Sequence, residues 1–338
     1  MNEMTIVYAV LMFCLLIFIH ELGHFIAAKA CGVKVNEFAL GMGPAFFKKQ
    51  KGETLYALRA IPIGGYCAME GEDEDSEDER AFNKKPAWQK AIIVVAGAAM
   101  NLLLCILFLI IIALYTGTVT TSIDQVNDGS PAAKAGIQSG DVITAIDEKP
   151  IKDWTQIIEG IGAAEKQVTV EVERDGKKLS FVSELEKGED GRQIIGIIPK
   201  RDHNVLTAVK VGTVNTWNMT KMMGITIKQL FTGEVSAKDL TGPVGIVYAV
   251  NDTAKYGFVY LLYLTALISL NLAIVNMLPL PALDGGRFLF ILIRKITGRA
   301  ITDEMEGKVH FVGIMLLFAL MIYVTWNDIV RFIVPIFN

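Results

Sequence analysis

His20-Glu21-Leu22-Gly23-His24 places two imidazoles and a carboxylate within five residues. On a helix, positions i and i+4 lie on one face, so both imidazoles can reach the same ion. Zn²⁺ accepts neutral imidazole, and a catalytic zinc needs three protein ligands with one position left for water. Glu21, directly after the first histidine, is spaced to lean toward that water as a general base, the chemistry of an H-E-x-x-H helix. A haem reading fails on geometry, because two histidines one turn apart cannot sit on opposite faces of a porphyrin.

The elements that must position these residues are apolar to an unusual degree. Of 338 residues, 52% are hydrophobic, against about 45–50% in ordinary soluble domains, and they gather in long blocks. About 20 predominantly apolar residues in a helix span the hydrocarbon core. Thr5–Ala28, Ala91–Tyr115, Tyr256–Leu283 and Val309–Thr325 meet that length, the second with no formal charge at all. The first carries the two histidines and Glu21. A single charged side chain at the bilayer centre costs about 2.5–3.5 kcal/mol on insertion scales, so three ionisable groups there are unexpected in a passive anchor. A polar turn resting at the interface after Ile19 is the blander explanation, but Phe25, Ile26, Ala27 and Ala28 resume the apolar pattern. The first span is too long for a signal peptide and lacks a basic leading region.

The third ligand must come from elsewhere. His203 and His310 are the remaining histidines, and Asp284 closes Asn276-Met277-Leu278-Pro279-Leu280-Pro281-Ala282-Leu283-Asp284-Gly285-Gly286. Lys and Arg between spans one and two, and again between spans three and four (Arg287, Arg294, Lys295, Arg299, Lys308), put both connections on the cytoplasmic side. Spans one and three then both run inward, and Asp284, at the end of span three, lies at the depth of the histidine pair. Pro279 and Pro281 break the helix there, which is tolerated at membrane depth only where protein or a cavity covers the backbone. Asp284 is the stronger third ligand and His310 the weaker. Asn276, beside the break, and Asn271 are candidates to bind substrate backbone or a developing oxyanion, with interhelical hydrogen bonding as the alternative. Asn101, in mid-span after Gly97, reads as a helix-packing residue.

Other features bound the reading. A net charge of −4 suggests no nucleic-acid partner. Cys14, Cys31, Cys67 and Cys105 form no C-x-x-C pair and no disulfide framework. Glu70–Glu79 is a run of acids that reads as a solvated, flexible loop. Val205–Phe231 has the make-up of an amphipathic helix on the outer membrane surface. Strand-like alternation recurs at Val142–Ile146, Val168–Val172 and Ile194–Ile198, with Asp175-Gly176 as a hairpin turn.

The two motifs together, His20-Glu21-x-x-His24 and Asn276-x-x-Pro279-x-Pro281-x-Leu283-Asp284-Gly285, resemble the site-2 protease family, in particular its bacterial branch that regulates sigma factors. Ser130-Pro131-Ala132-Ala133 through Ile151 resembles a bacterial PDZ domain, and the segments around Gly41–Lys49 and Leu58–Tyr66 are similar to that branch too. The resemblance implies His20, His24 and Asp284 as zinc ligands, Glu21 as base, and a β-loop that presents substrate as an extended strand. It implies single-span membrane proteins as substrates, such as a trimmed anti-sigma factor or a leftover signal peptide, in a bacterial inner membrane. Two departures stand out: no proline follows Gly97, and Arg287 stands where relatives often have His.

The fold class expected is thus an α-helical polytopic membrane protein with about four transmembrane helices, a cytoplasmic-side membrane-associated β-loop and an extracytoplasmic α+β PDZ-like domain. Residues 1–30 form the first transmembrane helix, 31–90 the β-loop and acidic loop, and 91–116 the second helix. Residues 117–200 form the PDZ-like domain, able to take a peptide or to filter by size, and 201–255 the outer amphipathic segment. Residues 256–286 form the third helix, 287–308 a cytoplasmic loop, and 309–338 the fourth helix and a C-terminus outside with the N-terminus. The rival functions are an inactive scaffold, which predicts a degraded metal motif, and a metal transporter, which predicts polar residues along several spans. All four expected residues are present and spans two and four are almost wholly apolar, which ranks both below the protease reading.

Overall fold

The computed structural model describes residues 3–72, 74–188, 191–236, 240–298 and 303–334. Asp73 of the acidic run and Arg299 of the basic connection lie outside them. The chain opens with α1 (Glu3–Ala30), the strands β1 (Val35–Lys51) and β2 (Thr54–Met69), and α2 (Ala87–Thr116). Next come β3 (Thr118–Val126), α3 (Pro131–Ala135), β4 (Val142–Ile146), β5 (Lys149–Pro150) and α4 (Trp154–Ala163). They are followed by β6 (Gln167–Arg174), β7 (Lys177–Glu184), β8 (Glu186–Lys187), β9 (Gln193–Ile194) and β10 (Ile197–Asp202). Helices α5 (Val205–Thr232), α6 (Pro243–Ala254), α7 (Phe258–Asn276), α8 (Asp284–Thr297) and α9 (Asp303–Asp328) complete it. Two compact units result, one from residues 1–109 and 213–338, the other from Ile110–Gly212.

In the first unit, four helices among the described residues are long and apolar enough to cross a membrane: Met4–Ala30, Ala87–Thr116, Phe258–Asn276 and Met305–Ile333. Their outward surfaces are apolar. Only 11% of the most apolar stretch of the last is buried within the protein, and Phe311, Leu316 and Phe318 are exposed along it. A water-facing helix of that kind would be an aggregation hazard, whereas hydrocarbon solvates it. The protein is an integral membrane protein.

Two boundaries differ from the sequence reading. The third span stops at Asn276, seven residues before Leu283, because Met277 leaves helical geometry and Pro279 and Pro281 supply no backbone donors. And the segment expected to be a loop from Arg287 begins inside a 14-residue helix, α8, which starts at Asp284 itself.

Strands β1 and β2 fold over the end of α1. Glu37–Leu40 pairs on one side with Leu55–Leu58 and on the other with Gly65–Ala68, while Phe47–Lys51 pairs back on Thr54–Leu58. The double pairing makes a small sheet from two long strands. Gly41, with φ +87°, allows the bend, and a Cβ there would overlap the Ile61 carbonyl. Phe38, Cys67 and Met69 pack with Ala27, Ala28, Ile93 and Val94 of α1 and α2, whereas Phe46 and Phe47 are exposed.

The acidic run is a loop with Glu74, Asp75, Glu77 and Glu79 exposed, as expected, but it is tied down at its start. Glu70 accepts from Lys34 Nζ (3.1 Å), Asn36 Nδ2 (3.0 Å) and Ser76 Oγ (2.6 Å). Those donors hold its carboxyl at about 2. Arg287 of α8 pairs with Glu72, and Asn83 donates to Asp75. Lys34, Asn36 and Arg287, far away in sequence, partner Glu70 and Glu72 at the start of the run.

In the second unit, β10, β3, β4, β6 and β7 form an antiparallel sheet in that order, with β5 against β4. Ser130 caps α3 by accepting from Ala133 N–H, and Asp175 and Gly176 both take positive φ to close the β6–β7 hairpin. The core is aliphatic: Ile123, Ile143, Ile146, Ile157, Val168 and Val170 are all nearly inaccessible. One carboxylate, Asp141, is buried with them and paired by a partly exposed guanidinium. Arg174 grips Asp141 with two bonds, Nε to Oδ1 at 2.6 Å and Nη2 to Oδ2 at 2.8 Å.

Candidate metal centre

The α-helical period brings the His20 and His24 rings to one face of α1. His20 lies about 24 Å along the helix axis from Met4, at 1.5 Å per residue, so the pair is inside the apolar span. Close helix contact brings α2 against that face. Gly23 and Gly97 make it possible: a Cβ on Gly23 would overlap the Ala96 carbonyl, and one on Gly97 would overlap both histidine rings.

Asp284 arrives from the break after α7. Met277–Pro281 folds back over the start of α8, where Gly285 and Gly286 leave no room for a side chain against the Met277, Leu278 and Leu280 carbonyls. Ala282 takes a left-handed φ of 75° at the turn. His310 of α9 accepts the Ala282 N–H on Nδ1 at 2.8 Å. That bond engages His310 in holding the turn, with its other nitrogen toward Glu306, and it takes no part in the cluster. His203 lies in the second unit, where Nδ1 donates to the Leu114 carbonyl.

The three donors form a nearly equilateral triangle. His20 Nε2 and His24 Nε2 are 3.2 Å apart, and Asp284 Oδ2 is 3.3 Å from the first and 3.4 Å from the second. In a regular tetrahedron the donor–donor edge is about 1.63 times the metal–donor distance, or roughly 3.3–3.4 Å for zinc bonds of 2.0–2.1 Å. The donor chemistry fits as well. His24 Nδ1 sits 2.9 Å from the Ile93 carbonyl; a carbonyl only accepts, so Nδ1 carries the proton and the Nε2 lone pair is free. Asp284 Oδ2 is buried with no hydrogen-bond donor of its own. Among the described residues, this is the group of His, Cys, Asp and Glu side chains able to hold a metal ion.

Around the triangle, Glu21 is half-buried against β2, where a Cβ on Gly65 would stand 3.2 Å from Glu21 Cγ. Asn276 Nδ2 lies 3.4 Å from His20 Nε2, so the last residue of α7 reaches the rim of the site. Asn271 Oδ1 is buried without a hydrogen-bond partner, and no hydrogen bond ties it to the three donors. Asn101, expected to pack between helices, does so and also borders the site. It is fully buried, and its Nδ2 lies 3.4 Å from His20 Nδ1. Its position one helical turn after Gly97 was the available clue, since the face that admits the rings at Gly97 also carries Asn101.

With this geometry in place, comparison with known proteins assigns the class. The model of peptidase family M50 matches residues 8–320. The chain belongs to peptidase family M50 and is a metalloprotease. A Clostridium acetobutylicum protein named as a zinc metalloprotease is 39% identical over 335 residues, covering 98% of each chain. The regulator of sigma-W protease RasP of Bacillus subtilis is 32% identical over 415 aligned residues, covering 97% of this chain and 98% of its own. The zinc metalloprotease RasP of Geobacillus kaustophilus is 32% identical over 413, with the same coverage. A solved structure, the PDZ domain of an SdrC-like protein from Listeria innocua, aligns over 25% of this chain and 99% of its own, at 24% identity and a TM-score of 0.23.

Proposed function

We propose that this metalloprotease hydrolyses peptide bonds inside the membrane-spanning segments of single-span proteins, with His20, His24 and Asp284 as zinc ligands. The observation that carries the reading is the triangle of donors at 3.2–3.4 Å, two of them inside the first apolar span and the third at the break after α7. A soluble substrate would have little reason to meet a site at that depth.

The chemistry a zinc ion supplies when bound there is acidification of a water and polarisation of the scissile carbonyl. Glu21, adjacent to His20, takes the proton from the attacking water and returns it to the leaving amine. The Asn276 amide, at the rim, donates to the carbonyl oxygen as charge develops on it. Asn271, one and a half turns earlier on α7, is assigned to substrate backbone. Carbonyls in a helical substrate are occupied by i→i−4 bonds, so the segment must unwind before attack. The sheet of β1 and β2 beside Glu21 offers strand pairing to the unwound segment, and its exposed Phe46 and Phe47 suit a lipid contact.

The positive-inside pattern supports a site toward the cytoplasmic side, with both termini and the PDZ-like unit outside in a bacterial cell membrane. The amphipathic α5 would lie on that outer surface. A peptide end at the PDZ-like unit and a trimmed anti-sigma factor as substrate follow from the family resemblance and from the sigma-W name of one relative.

Mapping the cut by mass spectrometry in proteoliposomes tests this proposal. A single-span substrate should be cut within its apolar segment, faster when helix-destabilising residues are placed there. A cut confined to the water-exposed flanks would refute intramembrane cleavage.

A further inference from the structure

Two imidazoles can turn both Nε2 lone pairs to one cation only if both Nδ1 atoms carry the protons. Each Nδ1–H then needs an acceptor, and such outer partners fix ring orientation. For His24 the acceptor is the Ile93 carbonyl at 2.9 Å. For His20 the neighbour is the Asn101 amide, whose Nδ2 stands 3.4 Å from Nδ1. In that orientation a donor faces an atom that must itself donate, while Asn101 Oδ1 is buried without a partner. The nitrogen and oxygen of an amide exchange places by a half-turn of the side chain and are assigned from their surroundings. The half-turn puts Oδ1 against the ring N–H.

Asn101 is also held in place. It is fully buried, and Ser269 of α7 donates to its main-chain carbonyl at 2.8 Å, which fixes the backbone at this position. A polar amide in the middle of a 30-residue apolar helix is costly to insert and calls for a role. We infer that Asn101 is a positioning residue: its Oδ1 accepts from His20 Nδ1–H. With the Ile93 carbonyl, it makes α2 the element that sets tautomer and orientation of both histidines. The inference rests on reading His20, His24 and Asp284 as a zinc site.

The test uses the full-length protein in detergent, with zinc affinity read by competition against a chromophoric chelator for wild type, Asn101→Leu and Asn101→Asp. The two replacements have similar bulk and both remove the amide. Only the carboxylate can accept. The expected result is a 10- to 100-fold loss of affinity in Asn101→Leu and affinity equal to or tighter than wild type in Asn101→Asp. Equal affinity in Asn101→Leu and wild type, or the same loss in both variants, would overturn the acceptor role. A wild type that binds no stoichiometric zinc would sink the reading of the site itself, before the variants are compared.

Discussion

Asp284 Oδ2 stands 3.3 Å from His20 Nε2, although the two residues come from opposite ends of the chain. Neither α1 nor the turn before α8 makes a site alone. The contact depends on the α7 break, the glycine pair after Asp284 and the close crossing of α1 on α2, so the centre reports on the assembly of the whole membrane unit.

Removing the carboxylate while keeping its shape should therefore cost zinc before it costs structure. Asp284→Asn is expected to lose more zinc affinity than the 10- to 100-fold typical of an outer partner, with activity lost in parallel. Metal analysis of the purified protein, compared with His310→Gln, checks this; His310→Gln should retain zinc.

Gly97→Ala should be far more damaging than its one methyl group suggests. The new Cβ would overlap both ligand rings, and overpacking of this kind costs about 1–3 kcal/mol on top of displaced ligands. In contrast, a Cβ on Gly224 of α5 meets nothing within 4 Å, and Gly224→Ala should stabilise by about 0.5–1 kcal/mol through helix propensity. Thermal melting with zinc assayed alongside separates the two cases.

In the second unit, Asp141 gives a pH dependence of known sign. Burial pushes its carboxyl up, but the Arg174 guanidinium and the Gln138 N–H outweigh that and leave it below the usual range. A depressed carboxyl contributes stability that is complete above its unfolded value of about 3.9 and is lost as pH falls through the folded one. Protection of β4 and β6 amides, taken relative to their intrinsic exchange at each pH, should fall below about pH 4. Arg174→Met should leave the Asp141 charge unpaired, lower the stability of this unit and remove much of the acid dependence.

The tie between Glu72 and Arg287 anchors the acidic segment to the helix that begins with Asp284. Both side chains are partly exposed, so the pair is worth about 1 kcal/mol or less and is screened by salt. Arg287→Glu should speed proteolytic nicking between residues 70 and 80, and the exchanged pair Glu72→Arg with Arg287→Glu should slow it again.

Much of this was legible in the chain. The histidine pair, the aspartate after two prolines, the spans and the Asp175-Gly176 turn all act through local spacing. What escaped depends on contacts between distant segments. Gly285 and Gly286 read as the end of the third span, yet they lie tightly packed in the first turn of α8. Asn101 read as packing because only the helix crossing at Gly23 and Gly97 brings it to His20. Glu70 and Glu72 read as loose acids because their partners Lys34, Asn36 and Arg287 lie far off in sequence.

The central claim is that Glu21 performs hydrolysis at a zinc ion held by the other three residues. Cleavage of a single-span substrate in liposomes by wild type and Glu21→Gln, with zinc measured in both, addresses it most directly. The account predicts stoichiometric zinc in both proteins and a rate about 10²- to 10⁴-fold lower in Glu21→Gln, the usual weight of a positioned acid–base group. Equal rates, or no zinc in the wild type, would contradict it.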